Sequence, residues 1–274
     1  MPDILALLSD PFVLRAIIAI FLASMISATA GNLTIFRGLS FLIATVAHAA
    51  MAGAAFAIFL QEYSLIPITP ILGAALFGIS ISLFLGVIGN RMSGERLEAI
   101  TGIAFALSMS LAILFISLIK EYAVQAWGLI MGDLLLLTLS DVLLMIITTM
   151  IIVFISILLM REFLFISFDP EGAEALGLKT FAYHILMLLL ISLSVVVLIK
   201  AVGAILVYVI MIIPAATANR LANKPSSTMY IAFIISLFSG LFGLFLALYV
   251  DVAPSALIGI IATLIYLGIT LKRS

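Results

Sequence analysis

Long apolar runs, separated by single charges or small groups of charges, set the pattern of this 274-residue chain. Stretches free of Asp, Glu, Lys and Arg cover 16–36, 38–61, 63–90, 99–119, 142–160, 180–199, 201–219, 225–250 and 252–271, each 19 residues or longer. A helix of about 20 apolar residues crosses a bilayer core of about 30 Å. The runs show no apolar/polar alternation and exceed the roughly 9–11 residues of a barrel strand. Backbone amides in lipid must be satisfied within their own segment, which leaves helices. The pattern therefore predicts an all-α fold: a polytopic transmembrane helical bundle of about nine spans, with residues 1–274 as one domain. Eight spans remain if one hairpin fails to cross. The turn at Lys200-Ala201-Val202-Gly203 is very tight, and Lys200 has the reach to snorkel to the surface. The apolar pieces within 122–140 are too short to span, and they hold Trp127, Gly128 and Gly132-Asp133. That stretch reads as an outer interfacial or re-entrant piece, since Trp favours the interface. Asp10-Pro11 reads as an N-cap with proline at the first helical position. Met1-Pro2-Asp3 carries no positive charge, so the first span is expected to be retained rather than cleaved.

Composition removes several classes of function. The chain is 66% apolar and 9% charged, against about 45–50% and about 25% for a soluble domain. Its net charge of -1 offers no basic field for nucleic acid. Cysteine is absent, which excludes disulfides, thiolate nucleophiles and Cys-based metal sites. Orientation follows from the cations. With the 161–180 loop inside, alternation places 31–39, 90–97, 219–228 and 272–274 on the same side, and nine of the twelve cations fall there. Only Arg15, Lys120 and Lys200 lie toward the other face. The expected topology has the N-terminus outside and the C-terminus inside.

Candidate chemistry is sparse. No Gly-x-x-x-x-Gly-Lys-Ser/Thr run exists, so the chain has no P-loop of its own. Neither a His-Glu-x-x-His pair nor a Gly-x-Ser-x-Gly elbow occurs, and no enzyme active site is expected. His48 lies about 12 Å into the span that begins near residue 40. An ionisable side chain at that depth is a candidate functional residue. Its surroundings, Ala47, Ala49, Ala50 and Ala52-Gly53-Ala54-Ala55, are small, which permits close helix approach or leaves room for a path. Neutral imidazole is also a common metal ligand. Two roles stay open: a pathway ligand, or a packing histidine that donates one hydrogen bond across helices. His184, near the inner interface, reads as structural.

Asp169-Pro170-Glu171-Gly172-Ala173-Glu174-Ala175-Leu176-Gly177 encodes a short isolated helix. Asp169 suits the N-cap, Pro170 the first helical position, and Gly177 the left-handed residue past the end. Two turns do not hold themselves in water, so this helix must lie against something. Its acidic face disfavours anionic lipid, and docking to a soluble subunit is the stronger reading beside an interfacial connector. In the seventh run, Pro214 frees a carbonyl and kinks the helix. Thr217 and Asn219 are positioned to satisfy freed groups or line a cavity; a plain structural kink is the alternative. Asp133 and Asp141, on the outer side, either concentrate cations and dock a delivery protein or serve as ordinary solvated charges.

These pieces, in this order, resemble the permease subunits of ABC transporters that import zinc, manganese or iron. The resemblance covers about residues 12–270. It rests on Arg37-Gly38-Leu39-Ser40, Ala47-His48-Ala49 with Gly53, Glu98-Ala99-Ile100-Thr101-Gly102-Ile103-Ala104-Phe105, the Asp169–Gly177 segment, Lys200–Gly203 and Ile213-Pro214-Ala215-Ala216-Thr217-Ala218. It implies a permease that works as a pair, most simply a homodimer, with two separate cytoplasmic ABC ATPase subunits that bind ATP. An extracytoplasmic metal-binding protein would deliver the ion. The 169–177 helix, through Asp169, Pro170, Glu171, Ala173, Glu174, Leu176 and Gly177, would be the coupling helix. In many relatives an aspartate stands four residues before the histidine; here that position is Ala44. Its loss removes a hard anionic ligand suited to manganese, so the expected cargo is zinc first, manganese or iron second, with His48 as the pathway residue. The rival reading is an ion-coupled secondary transporter using His48 as a relay.

Overall fold

A computed structural model describes residues 10–63, 67–89, 95–119, 128, 132 and 134–273. The described residues form helices and no strand. The helices are α1 (Pro11–Phe36), α2 (Ser40–Glu62), α3 (Pro70–Gly89), α4 (Glu95–Leu118), α5 (Leu139–Leu158), α6 (Met160–Phe168), α7 (Pro170–Ala175), α8 (Thr180–Val202), α9 (Ala204–Leu221), α10 (Pro225–Val250) and α11 (Pro254–Arg273). Among the described residues eight of them are long and apolar enough to cross a membrane: α1 to α5, α8, α10 and α11.

The seventh charge-free run, 201–219, separates the nine runs from the eight long helices, at the tight Lys200–Gly203 turn where a failed crossing was expected to leave eight. Ala201 and Val202 finish α8, and Gly203, at φ +83, breaks the chain before α9 begins. The apolar part of α9, Leu206–Leu221, extends about 24 Å, short of a 30 Å hydrocarbon core. It needs no such length, because Val207, Ile210, Met211, Ala215 and Ala218 are buried in protein. The predicted re-entrant stretch, including Trp127 and Asp133, lies mostly outside the described residues.

Local signals start and stop the helices as expected. The Asp10 carboxylate accepts from the Phe12 N–H at 2.8 Å, with Pro11 next in line. Thr138 and Asp141 form a reciprocal capping box at the start of α5. One pole of the bundle is fixed by two contacts. Arg15 donates to the Leu137 carbonyl at 3.2 Å, and the Lys200 ammonium pairs with Asp141 at 2.6 Å. The starts of α1 and α5 and the end of α8 therefore share an end.

α2 and α8 are buried along most of their length, whereas α4 and α11 expose most of theirs. Exposed side chains such as Ile103, Ile147, Phe154 and Leu264 present hydrocarbon to lipid. α2 packs closely on α3 through a reciprocal contact of Gly53 and Gly73, where a Cβ on either would run into the other's backbone carbonyl. Buried hydroxyls bond to their own helices: Thr29 to Met25, Thr34 to Ala30, Ser192 to Leu188 and Ser194 to Leu190. Hydroxyls in an apolar bundle are tolerated when their hydrogen is placed in this way.

Candidate functional site

His48 occupies the middle of α2, half-buried, among Ala47, Ala49 and Ala50. Its Nδ1–H donates to the Ala44 carbonyl at 2.8 Å. The bond stays within its own helix rather than reaching across, contrary to the packing role considered from sequence. A carbonyl only accepts, so the bond selects the Nδ1–H tautomer and leaves the Nε2 lone pair for another group. Among the described residues the ring makes no other hydrogen bond. Phe105 of α4 meets it edge to face, with centroids 4.7 Å apart. Beside it, the Thr45 hydroxyl lies within 3.2 Å of the Phe41 carbonyl and 3.4 Å of the Thr101 carbonyl, joining α2 to α4. At position 44 a methyl group stands where a carboxylate would have faced the same side one turn away. No three His, Cys, Asp or Glu side chains gather into a metal-binding group among the described residues. α2 thus offers a single imidazole at this level.

Pro214 and Thr217 are buried in α9. Proline leaves the Ile210 carbonyl without its helical donor, but the Thr217 hydroxyl donates to Ile213, at 2.6 Å. Thr217 therefore does not answer the freed carbonyl, and Asn219 is exposed.

The 169–177 segment folds as its residues dictate. The Asp169 carboxylate caps α7 by accepting from the Gly172 N–H at 2.8 Å, and Pro170 takes the first helical position. Gly177 adopts φ +84. Its N–H donates to Glu174, and the Leu178 N–H donates to Ala173, at 2.9 and 3.0 Å, the paired bonds of a Schellman close. Ala173 is fully buried, while Glu171, Glu174 and Leu176 are exposed, Leu176 at 77%. α7 is held on its Ala173 side and offers a mixed acidic and apolar face outward.

Asp141 is committed on both sides, to the Thr138 cap and to Lys200. Asp133 lies outside the described residues. His184 is buried against the backbone of Gly86 at the start of α8, far along the chain from His48.

The sequence model of the ABC 3 transport family matches residues 9–273. The chain belongs to the ABC 3 transport family. It is similar to the manganese transport system membrane protein MntC of Listeria monocytogenes serovar 1/2a, with 31% identity across 95% of this chain and 90% of that protein. It is also similar to the manganese import system permease protein ScaB of Streptococcus parasanguinis, with 26% identity across 93% of this chain and 89% of that protein. In fold it is similar to a chain of PsaBC from Streptococcus pneumoniae in complex with Fab, with a TM-score of 0.83, 24% identity and coverage of 97% and 93%. As a member of this family the chain is a multi-pass membrane component of a transport system rather than an enzyme.

Two features were missed from sequence. Within α1, residues Ser27–Gly31 form a π-helical turn, and Gly31 abuts the Met211 carbonyl of α9 so closely that a Cβ would collide. Its signal was the small and polar run Ser27-Ala28-Thr29-Ala30-Gly31 inside an apolar span. The second is Arg37, quoted in the family pattern without a role. It donates to the Ile166 carbonyl of α6 at 2.7 Å.

Proposed function

We propose that this chain is the membrane-spanning permease subunit of an ABC importer that moves a divalent transition metal ion into the cytoplasm, manganese before zinc or iron. The single observation that carries the pathway role is the pinned His48 ring: Nδ1 engaged by Ala44, Nε2 unengaged among the described residues, on a helix of small residues. The zinc-first order drawn from Ala44 gives way to the printed names of MntC and ScaB, which are manganese systems. Physical chemistry accommodates that order. Any site with nitrogen ligands binds zinc more tightly than manganese. A lone imidazole from each chain binds either weakly, so it releases its ion readily, and selection falls to an extracytoplasmic metal-binding protein. A closed four-ligand site would suit retention instead.

Two cytoplasmic ABC ATPases supply the energy in this reading and grip α7, where Glu171, Glu174 and Leu176 are exposed. The permease works as a pair, with the two His48 rings completing one path. The cation split then orients α7 and the C-terminus inside and the Lys200–Asp141 pole outside.

The test is uptake of manganese, with zinc and iron as competitors, in cells carrying the complete transporter. His48→Ala is expected to express and fold normally while uptake falls about tenfold or more, the loss of about 1.4 kcal/mol of differential binding. Glu171→Lys and Leu176→Asp are expected to abolish uptake through loss of ATPase docking. Normal uptake by His48→Ala removes the pathway role. Uptake that persists with the ATPase subunits deleted favours the ion-coupled carrier. Zinc uptake that outlasts excess manganese restores the zinc-first order.

A further inference from the structure

We propose that Arg37 is a positioning residue that ties the α7 docking surface to the α1–α2 corner, so that movement of α7 is passed to His48. The proposal rests on the transport reading above and adds the element of the fold that carries the stroke.

The need for Arg37 begins with Pro170. In α6, the carbonyl of residue 166 would accept from the N–H of residue 170. Asp169, kept out of the helical region at φ -143 and ψ 77 by the residue that follows it, turns residue 170 away from that ladder, and residue 170 is proline, which has no N–H. The Phe165 carbonyl still finds the Asp169 N–H at 2.9 Å, but the Ile166 carbonyl is left without a helical donor. Ile166 is buried, at 1% exposure, so water does not replace it. Arg37 does: its Nη1–H reaches that oxygen at 2.7 Å across 129 residues of sequence. A charged donor on a buried carbonyl makes a short, strong bond. Among the described residues no carboxylate pairs with Arg37, and burial pushes its pKa below the ordinary arginine value. The guanidinium is therefore held in a half-buried place by a backbone oxygen. A second contact lies alongside, Phe36 against Phe168, with ring centroids 6.0 Å apart.

The other end of the tie is rigid. Arg37 caps α1, and Gly38 follows at φ +70. The Gly38 N–H donates to Ile35 and the Leu39 N–H to Thr34, both at 3.0 Å. This is the same paired closure that ends α7. Ser40 then starts α2, and His48 stands eight residues on, about 12 Å along the axis. The linkage runs from α7 through Pro170 and the Ile166 carbonyl to Arg37, around the locked Gly38 turn and along α2. Backbone hydrogen bonds close both turns along it. The same proline that opens the docking helix creates the acceptor that Arg37 holds, so the two ends are coupled by construction.

The experiment uses the complete transporter, permease with its ATPase subunits, reconstituted in liposomes with its metal-delivery protein. Manganese imported per ATP hydrolysed is the readout. Arg37→Met keeps the aliphatic stem and removes the donor. It is expected to keep hydrolysing ATP while the ratio of metal to ATP falls about tenfold. Arg37→Lys restores a charged donor and is expected to recover most of the ratio. The combined variant Arg37→Met with Pro170→Ala, compared with Pro170→Ala alone, separates linkage from mere hydrogen-bond satisfaction. Residue 170 then carries an N–H and Asp169 is released from the restriction a following proline imposes, so α6 can extend by a turn to meet the Ile166 carbonyl, yet no tie to α2 exists. Continued uncoupling in the combined variant supports the proposal, also where Arg37→Met alone fails to assemble. A wild-type ratio in Arg37→Met, or recovery of the ratio in the combined variant, overturns it. If the unmodified transporter imports no metal on ATP addition, the transport reading fails and with it the basis of this one.

Discussion

Replacing Gly53 with alanine tests whether α2 and α3 approach as closely as the bundle requires. A Cβ built at Gly53 would stand 2.7 Å from the Gly73 carbonyl carbon and 2.7 Å from Phe77 Cβ, with the Gly73 oxygen nearer still. Ordinary contact begins near 3.4 Å, so the helices must part by at least about 0.7 Å at that level. Neither obstacle is the far end of a flexible side chain, and Gly73 meets α2 just as tightly from its own side, 2.8 Å from Ala57 Cβ. Overpacking of this kind costs about 1–3 kcal/mol. Alanine in a helix recovers about 0.5–1 kcal/mol against glycine, which leaves a net loss on the order of 1–2 kcal/mol. Gly268 of α11 is the matched control, because nothing lies within 4 Å of a Cβ there. Gly268→Ala is expected to gain the helix-propensity term and no penalty. The two substitutions, chemically identical, should thus move stability in opposite directions. Unfolding of the purified chain in mixed micelles by added SDS, followed by circular dichroism, reads both. Gly53 also lies five residues, about 7.5 Å, from His48 along α2, so Gly53→Ala should lower uptake as well. A Gly53→Ala chain as stable as Gly268→Ala would refute the close approach of the two backbones.

Two further outcomes follow from single contacts. Gly177→Ala meets no steric obstacle but must hold φ +84, at about 1–2 kcal/mol; it should loosen α7 and reduce uptake, while Gly177→Asn, which tolerates the left-handed region, retains it, and equal uptake by the two variants would show that the Gly177 conformation is irrelevant to coupling. The Lys200–Asp141 pair, with the lysine side chain 51% and the aspartate 12% exposed, is expected to give a coupling at or somewhat above the top of the range of about 0.2–1 kcal/mol for exposed pairs in a Lys200→Met and Asp141→Asn double-mutant cycle, shrinking at high salt; a coupling near zero would contradict the half-buried geometry.

Much of the architecture was written in local signals. Charge-free length located the spans, and the capping residues Asp10, Asp169 and Gly177 act as their types predict. Of the two counts the runs allowed, nine and eight, the long helices match eight, because charge and helix boundaries separate at one turn. Gly203 breaks the chain without a charge, so α8 takes the first two residues of the run and α9 is left short. Asp141 shows the converse limit. As an outer carboxylate it read either as a cation collector or as an ordinary solvated charge; its partner Lys200 is 59 residues away, and only the fold brings them together.

The features that escaped prediction share a physical origin in the solvent. In hydrocarbon an unpaired carbonyl costs several kcal/mol, so irregularities of a helix favour contacts with donors from elsewhere. The π turn of α1 lies against α9 through Gly31 and the Met211 carbonyl, and Ser27 lies 3.5 Å from the same oxygen. The acceptor freed by Pro170 recruits Arg37. In both cases one partner is a backbone atom and leaves no mark in the side-chain pattern. What the sequence does carry is the cause. A proline just past a buried helical turn announces an acceptor four residues earlier, and a lone arginine beside a span, with no carboxylate to pair with, is its natural donor. Matching such prolines to such cations narrows the pairings worth testing, and the fold then selects Arg37 for the Ile166 carbonyl.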